Sequence, residues 1–246
     1  MSVSGKRRPK AADQKPVLAG SLLDNLKADL APAPEIGFFS PLYRFDQSLR
    51  VRPLAGLDEA GRGPLAGPLV AAAVILPESF DHQAINDSKK LTPESRLEAF
   101  QLVTSKAVSW AYSVKTSAEV DSLNPLRASL SAMGEAIDQL EPRPKLGLVD
   151  GNQLFESSVP LKYVVGGDAK SLSIAAASIV AKVIRDRIMD ELHLVYPQYG
   201  FDRHKGYGTR EHLKALELYG PTPVHRMTYK GVRPVQTPKS NLPRLF

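Results

Sequence analysis

The stretch Leu54-Ala55-Gly56-Leu57-Asp58-Glu59-Ala60-Gly61-Arg62-Gly63-Pro64-Leu65-Ala66-Gly67-Pro68 joins an apolar run to two adjacent carboxylates and then to a glycine-rich loop around one arginine. The apolar part reads as a strand. Carboxylates at the end of a buried strand are costly unless paired or metal-bound, and glycines at this density let backbone N–H groups approach a ligand closely. Asp-Glu pairs are ordinarily solvated, but one set between a hydrophobic strand and Gly-Arg-Gly points to a site. Neighbouring strand residues face opposite sides, so Asp58 and Glu59 serve one site only if the chain turns at or just after Glu59. The glycines beyond Ala60 permit that turn.

Outward from this stretch, the expected strands lie near Arg52–Asp58, Leu69–Leu76 and Ala107–Val114, the first two close enough in sequence to form an antiparallel hairpin. Helices are expected over Pro93–Lys106, with Thr92 as N-cap and Pro93 at the first position, and over about Pro125–Leu140. Short apolar strands follow at Leu146–Val149 and Tyr163–Val165. A long small-residue helix is expected from about Ser171 to Leu194, and a last one over Thr209–Tyr219. Strands covered by helices make this an α/β fold with a mixed sheet.

The 246 residues are 43% hydrophobic, enough for a sizeable core in one or two domains. There are no cysteines, so any metal must sit on oxygen or imidazole ligands. No apolar run reaches the roughly 18 residues of a membrane span, and no secretory segment opens the chain, which suggests a soluble, cytoplasmic protein. The net charge of +6 is unevenly placed: residues 1–16 carry +4 and residues 230–246 another +4, leaving the body at −2. A polyanion would therefore be held by local clusters rather than by overall attraction. Residues 1–20 read as a disordered basic tail. Residues 21–50 read as an extension with a short helix at Ser21–Leu30 and the stiff linker Ala31–Pro34, residues 51–230 as the folded body, and residues 231–246 as a second basic tail. No heptad run signals an oligomer, so a monomer is the default.

Two further acids occupy positions like that of Asp58. Asp150 ends the strand Leu146–Val149, and Asp168 follows two glycines just before the small-residue helix, at the strand ends and helix starts where α/β folds place ligand groups. Taken singly, Asp150 could be a turn residue and Asp168 a helix cap. Four carboxylates meeting without a cation would repel one another, whereas two Mg²⁺ or Mn²⁺ ions, which prefer oxygen, would neutralise them. A two-metal site on Asp58, Glu59, Asp150 and Asp168 is the expectation.

Asp58 to Pro68 resembles the opening motif of ribonuclease HII, the type 2 ribonuclease H. The likeness continues through Asn86-Asp87-Ser88-Lys89-Lys90-Leu91, Leu148-Val149-Asp150-Gly151-Asn152, Gly167-Asp168 with Ser173–Ile179, and His204-Lys205-Gly206-Tyr207-Gly208-Thr209, in that order over about residues 52–230. The resemblance implies a ribonuclease H-like mixed sheet flanked by helices, with a helical C-terminal extension. It implies that the four acids are metal ligands, that Gly61, Arg62 and Gly63 form a ribose-recognising loop, and that Tyr207 senses the substrate. Gly166 stands where lysine is more usual, and His225-Arg226-Met227-Thr228-Tyr229 is a variant of a closing His-Arg-x-Ser-Phe.

Paired divalent ions suit in-line displacement at phosphorus, and the 2′-hydroxyl is what separates RNA from DNA at one nucleotide. Ser88, Lys89, Lys90, Lys170, Arg203 and Lys205 are candidates to grip phosphates, although each could equally be part of a solvated charged face. The expected activity is hydrolysis of RNA in RNA–DNA hybrids and nicking 5′ of ribonucleotides embedded in duplex DNA. A junction-resolving nuclease would also use an acidic cluster but would not need Gly-Arg-Gly. A non-catalytic nucleic-acid-binding protein would depend on its tails instead.

Overall fold

The computed structural model describes residues 39–232. The tail at 1–20, the helix expected at Ser21–Leu30, the linker Ala31–Pro34 and residues 233–246 fall outside that range. The first described helix, α1 (Pro41–Ser48), has Ser40 as its N-cap, with the hydroxyl accepting from the Tyr43 N–H. The sequence reading did not foresee it, although Leu42, Phe45 and Leu49 are spaced to share one helical face, and Phe45 and Leu49 pack on the core of Leu54, Leu148 and Ile174. It is tied down by Asp46, a buried carboxylate that accepts from Ser171 Oγ at 2.6 Å and from Ser173 N and Oγ, each at 2.8 Å.

The expected hairpin is present as β1 (Leu54–Ala60) and β2 (Leu69–Ile75), antiparallel with Leu57 opposite Ala73 and Ala60 opposite Val70. Helix α2 (Pro93–Lys106) starts at the expected cap, with Thr92 Oγ1 accepting from Ser95 N. It is followed by β3 (Ser109–Lys115). Next come α3 (Ser117–Leu123), which the sequence reading did not foresee, and α4 (Pro125–Ile137). A signal for α3 was available in Thr116 and Glu119, which form a capping box. Strands β4 (Leu146–Asp150) and β5 (Leu161–Val164) lead through a 3₁₀ turn at Gly167–Ala169 into the long α5 (Leu172–Val195), capped by Ser171. A 3₁₀ turn at Pro197–Tyr199, the one-turn α6 (Phe201–His204) and α7 (Arg210–Tyr219) complete the described chain.

The sheet order is β3-β2-β1-β4-β5. The first three strands are antiparallel, and β4 and β5 join in parallel, so the sheet is mixed as expected. Alternation along β1 sends Ala55 and Leu57 into a core with Ala132, Met133, Ala136 and Ile137 of α4. Leu54 faces the other way, toward Leu148 and Ile174. On that second face Gly56 admits α5 directly, since a Cβ there would lie 2.0 Å from the Ser173 carbonyl carbon. A smaller core of Leu65, Met189, Tyr199, Phe201 and Leu216 holds the C-terminal helices against the glycine loop. Among the described residues no helix is long and apolar enough to cross a membrane.

Candidate active site

Asp58 and Asp150 come together through sheet register. Leu57 pairs with Val149 on parallel strands, so the next residue on each strand leaves the sheet at the same level, one strand spacing of about 4.8 Å apart. Both follow residues that face α4 and therefore point to the α5 side. Pairing of β1 persists to Ala60, so the chain turns at Gly61 rather than at Glu59. Glu59 thus starts from the α4 side of the same strand end, with the Ser129 hydroxyl helping to hold its charge, and it joins the other acids because its charge and those of Asp58 and Asp150 still act on one another across the strand end.

Asp150 Oδ1 accepts from Gly167 N at 2.6 Å, which draws the turn carrying Asp168 up to the end of β4. Gly167 has little room for a side chain, since a Cβ would press within 2.5 Å of Ile174 Cδ1 and 3.2 Å of Asp150 Oδ1. Gly166 sits in the left-handed region at φ +62°, where lysine would be strained. Lys89 closes the cluster from the loop before α2, with Nζ 2.8 Å from Asp168 Oδ2. Arg62 Nη1 lies 3.3 Å from Glu59 Oε1 at the opposite end.

The electrostatics are those of acids forced together. Burial, then the charges of Glu59 and Asp150, push the Asp58 carboxyl well above its ordinary value. Burial raises Glu59 against the opposing pull of Arg62, and burial together with the Asp168 charge raises Asp150. The hydrogen bond to Asp168 raises Lys89. Among the described residues no three acid or imidazole side chains are already gathered round one point as a metal cage. The donor set nevertheless suits hard divalent cations, being all carboxylate oxygen and short of positive charge.

The glycine loop is held from inside by two buried arginines. Arg185 donates to the Pro68 and Ala66 carbonyls at 2.9 and 3.2 Å, and Arg226 donates to those of Gly61, Arg62 and Gly67. Burial lowers the Arg185 pKa to about 10. Gly206 O accepts from Leu65 N at 2.8 Å, which docks Tyr207 beside the loop: a Cβ on Gly63 would lie 3.8 Å from Tyr207 Cε1. The half-exposed Tyr207 is fixed from behind by a histidine chain. Its carbonyl can only accept, so His212 Nδ1, 2.9 Å away, carries the proton. His212 Nε2 then accepts from His225 Nε2 at 3.1 Å, and His225 Nδ1 accepts from Thr222 N at 2.9 Å.

The other sequence candidates are placed more variously. Ser88 is buried, with its hydroxyl 2.9 Å from that of Ser178, which helps to hold the Asp58 charge, so Ser88 lies behind the acidic cluster rather than open to a phosphate. Lys90 is exposed, with Asp87 at 3.8 Å. Lys170 donates to the Val165 carbonyl at 2.6 Å. Lys205 is paired with Asp190, and Arg203 with Glu211. Ser178, Arg185, Arg226 and Tyr229 were not singled out as site residues by sequence reasoning. The only sequence signal for Arg226 and Tyr229 was their place in the closing motif.

The chain matches the family profile of ribonuclease HII over residues 55–232. It is 50% identical over 206 residues to a ribonuclease HII of Pelotomaculum thermopropionicum, covering 82% of this chain and 77% of that protein. It is 49% identical over 189 residues to one of Idiomarina loihiensis, covering 77% of this chain and all of that protein. Its fold is similar to the crystal structure of a ribonuclease H2 from Pyrococcus horikoshii, with a TM-score of 0.64 and 28% identity over 73% of this chain and 95% of that one.

Proposed function

Since the chain belongs to the ribonuclease HII family, we propose that it hydrolyses the RNA strand of RNA–DNA hybrids and nicks duplex DNA on the 5′ side of embedded ribonucleotides, leaving 3′-hydroxyl and 5′-phosphate ends. Family membership makes it a nuclease and a hydrolase and sets aside the junction-resolving and non-catalytic readings. The observation that carries the finer reading is the meeting of the strand-end acids with Gly61–Gly63 and Tyr207 where the neighbouring interior strands β1 and β4 end.

Asp58, Glu59, Asp150 and Asp168 would hold two divalent ions, Mg²⁺ or Mn²⁺. Such ions, when bound, supply charge neutralisation at the reacting phosphate and activation of the attacking water. The chain's own residues supply recognition. Gly61, Arg62 and Gly63 offer backbone groups to a ribose 2′-hydroxyl, and leaving such groups unpaired against deoxyribose costs about 1–3 kcal/mol each. Tyr207 provides a flat apolar face for the neighbouring sugar. The exposed Lys89, Lys90 and Lys170 reach for phosphates, while Ser88 and Lys205 support the segments that carry Lys89 and Tyr207.

The test is a DNA duplex with one embedded ribonucleotide, incubated with Mg²⁺ or Mn²⁺ beside an all-DNA duplex and the Asp58→Asn variant. A single nick 5′ of the ribonucleotide, lost in the variant, is expected. Cutting that ignores the 2′-hydroxyl would reject the assignment of the loop.

A further inference from the structure

Arg226 is fully buried, yet its guanidinium is met by carbonyls and a phenol rather than by a carboxylate. Nη2 donates to Gly61 O at 2.6 Å and to Gly67 O at 2.9 Å, Nε to Gly67 O at 3.2 Å, and Nη1 to Arg62 O and Tyr229 Oη, each at 3.0 Å. The Tyr229 hydroxyl donates onward to Arg62 O at 2.6 Å, and the guanidinium lies over the Tyr229 ring at 5.1 Å. A buried cation is costly, and here its whole donor set is used on one loop and on a second tether to that loop.

The consequence follows from peptide geometry. The peptides after Gly61 and Arg62 are trans, and a planar trans peptide points its C=O and N–H in opposite directions. Drawing the Gly61 and Arg62 carbonyls inward therefore turns the Arg62 and Gly63 N–H groups outward. Among the described residues neither N–H has a protein acceptor. Glycine on both sides of Arg62 would otherwise leave these peptides free to flip. The tether itself is anchored: Arg226 N donates to Leu65 O at 2.8 Å, and Met227 N to Asp121 Oδ2 at 2.6 Å.

We propose that Arg226 and Tyr229 are positioning residues for 2′-hydroxyl recognition, aiming the Arg62 and Gly63 N–H groups from behind the loop. The proposal rests on the reading of that loop as the ribose sensor. Neither residue touches substrate. Tyr229 stands where the resembled closing motif has phenylalanine, so its hydroxyl is a tether additional to that pattern.

Arg226→Gln and Tyr229→Phe test this through affinity for two labelled duplexes, one all DNA and one with a single ribonucleotide, measured in chelator to prevent cleavage. Positioning predicts that the ribonucleotide preference of the wild type falls about 10- to 100-fold in Arg226→Gln, the scale of a misplaced contact. It falls about 2- to 10-fold in Tyr229→Phe, the scale of one hydrogen bond. Affinity for the all-DNA duplex, set by phosphate contacts, stays within about twofold. A purely structural role would lower both affinities together. Should Arg226→Gln fail to fold, Tyr229→Phe decides alone, because its partly buried side chain keeps the ring and its packing and loses one oxygen. A wild-type preference that survives in the folded variants overturns the proposal. A wild type with no preference overturns the ribose-sensor reading instead.

Discussion

The Lys89 ammonium lies 2.8 Å from the Asp168 carboxylate and, with Arg62 on Glu59 at the other end, brackets the acidic cluster with positive charge. Between these ends Asp58 and Asp150 have no ammonium or guanidinium within hydrogen-bond distance among the described residues. The bracket is partial, since Lys89 is mostly exposed while Asp168 is buried.

Lys89→Met removes that cation. An exposed pair is worth at most about 1 kcal/mol, so melting in chelator is expected to fall by about 1–4 °C. Saturating Mg²⁺ should close most of the gap, because bound ions neutralise the same carboxylates. Identical melting of variant and wild type in chelator would show that Lys89 does not offset the cluster.

Asp58→Asn acts in the opposite direction. Asp58 has a pKa raised above its unfolded value by burial and by the charges of Glu59 and Asp150. The folded state therefore holds a proton more tightly than the unfolded state, and stability gained at low pH is lost as pH rises through the folded value. At pH 7 in chelator the amide avoids this cost, and the variant should melt a few degrees higher than the wild type. It should also lose nicking and most of the stabilisation by Mg²⁺. A variant less stable than the wild type in chelator would contradict the electrostatic account.

Gly61 and Gly63 should respond differently to alanine. At Gly61, with φ +100°, a Cβ would lie 2.2 Å from Arg185 Nε and 2.7 Å from Pro68 O, and the strain is expected to cost about 1–3 kcal/mol. At Gly63 the nearest atom is Tyr207 Cε1 at 3.8 Å, so Gly63→Ala should fold with wild-type stability. Its added methyl would stand in the space assigned to the sugar, lowering kcat/KM on the one-ribonucleotide duplex. Equal denaturant midpoints for the two variants would refute this contrast.

The histidine chain sets an acid limit. His225 has its pKa lowered to about 4, first by burial and then by His212, and burial lowers His212 as well. The unfolded chain binds protons at these positions near pH 6.5, so their contribution to stability is present above that pH and is lost as pH falls toward about 4. Urea midpoints measured from pH 7 to 4.5 should decline more steeply for wild type than for His225→Gln. Parallel curves would show that the imidazoles are not held neutral.

Much of the candidate site was legible in the sequence because it is built from local rules. The hairpin around Gly61–Gly67, the Thr92-Pro93 start of α2 and the acids at the ends of β1 and β4 are each signalled by neighbours a few residues away. Helix α3 was missed although its Thr116–Glu119 capping box was present, because its seven residues are too few for an apolar period to stand out.

What the sequence by itself determined is the inventory and the order: an α/β chain, four acids at element ends, and a glycine loop with one arginine. The tertiary structure alone decided which charges point inward. Nothing in the sequence around Arg226 marks it as buried, yet it is buried because Gly61, Arg62 and Gly67, some 160 residues earlier, present enough carbonyl oxygen to replace its water. Ser88 likewise reads as a phosphate contact but meets Ser178, 90 residues away. A side chain's desolvation is set by every group packed round it, and most of those groups are distant in the chain.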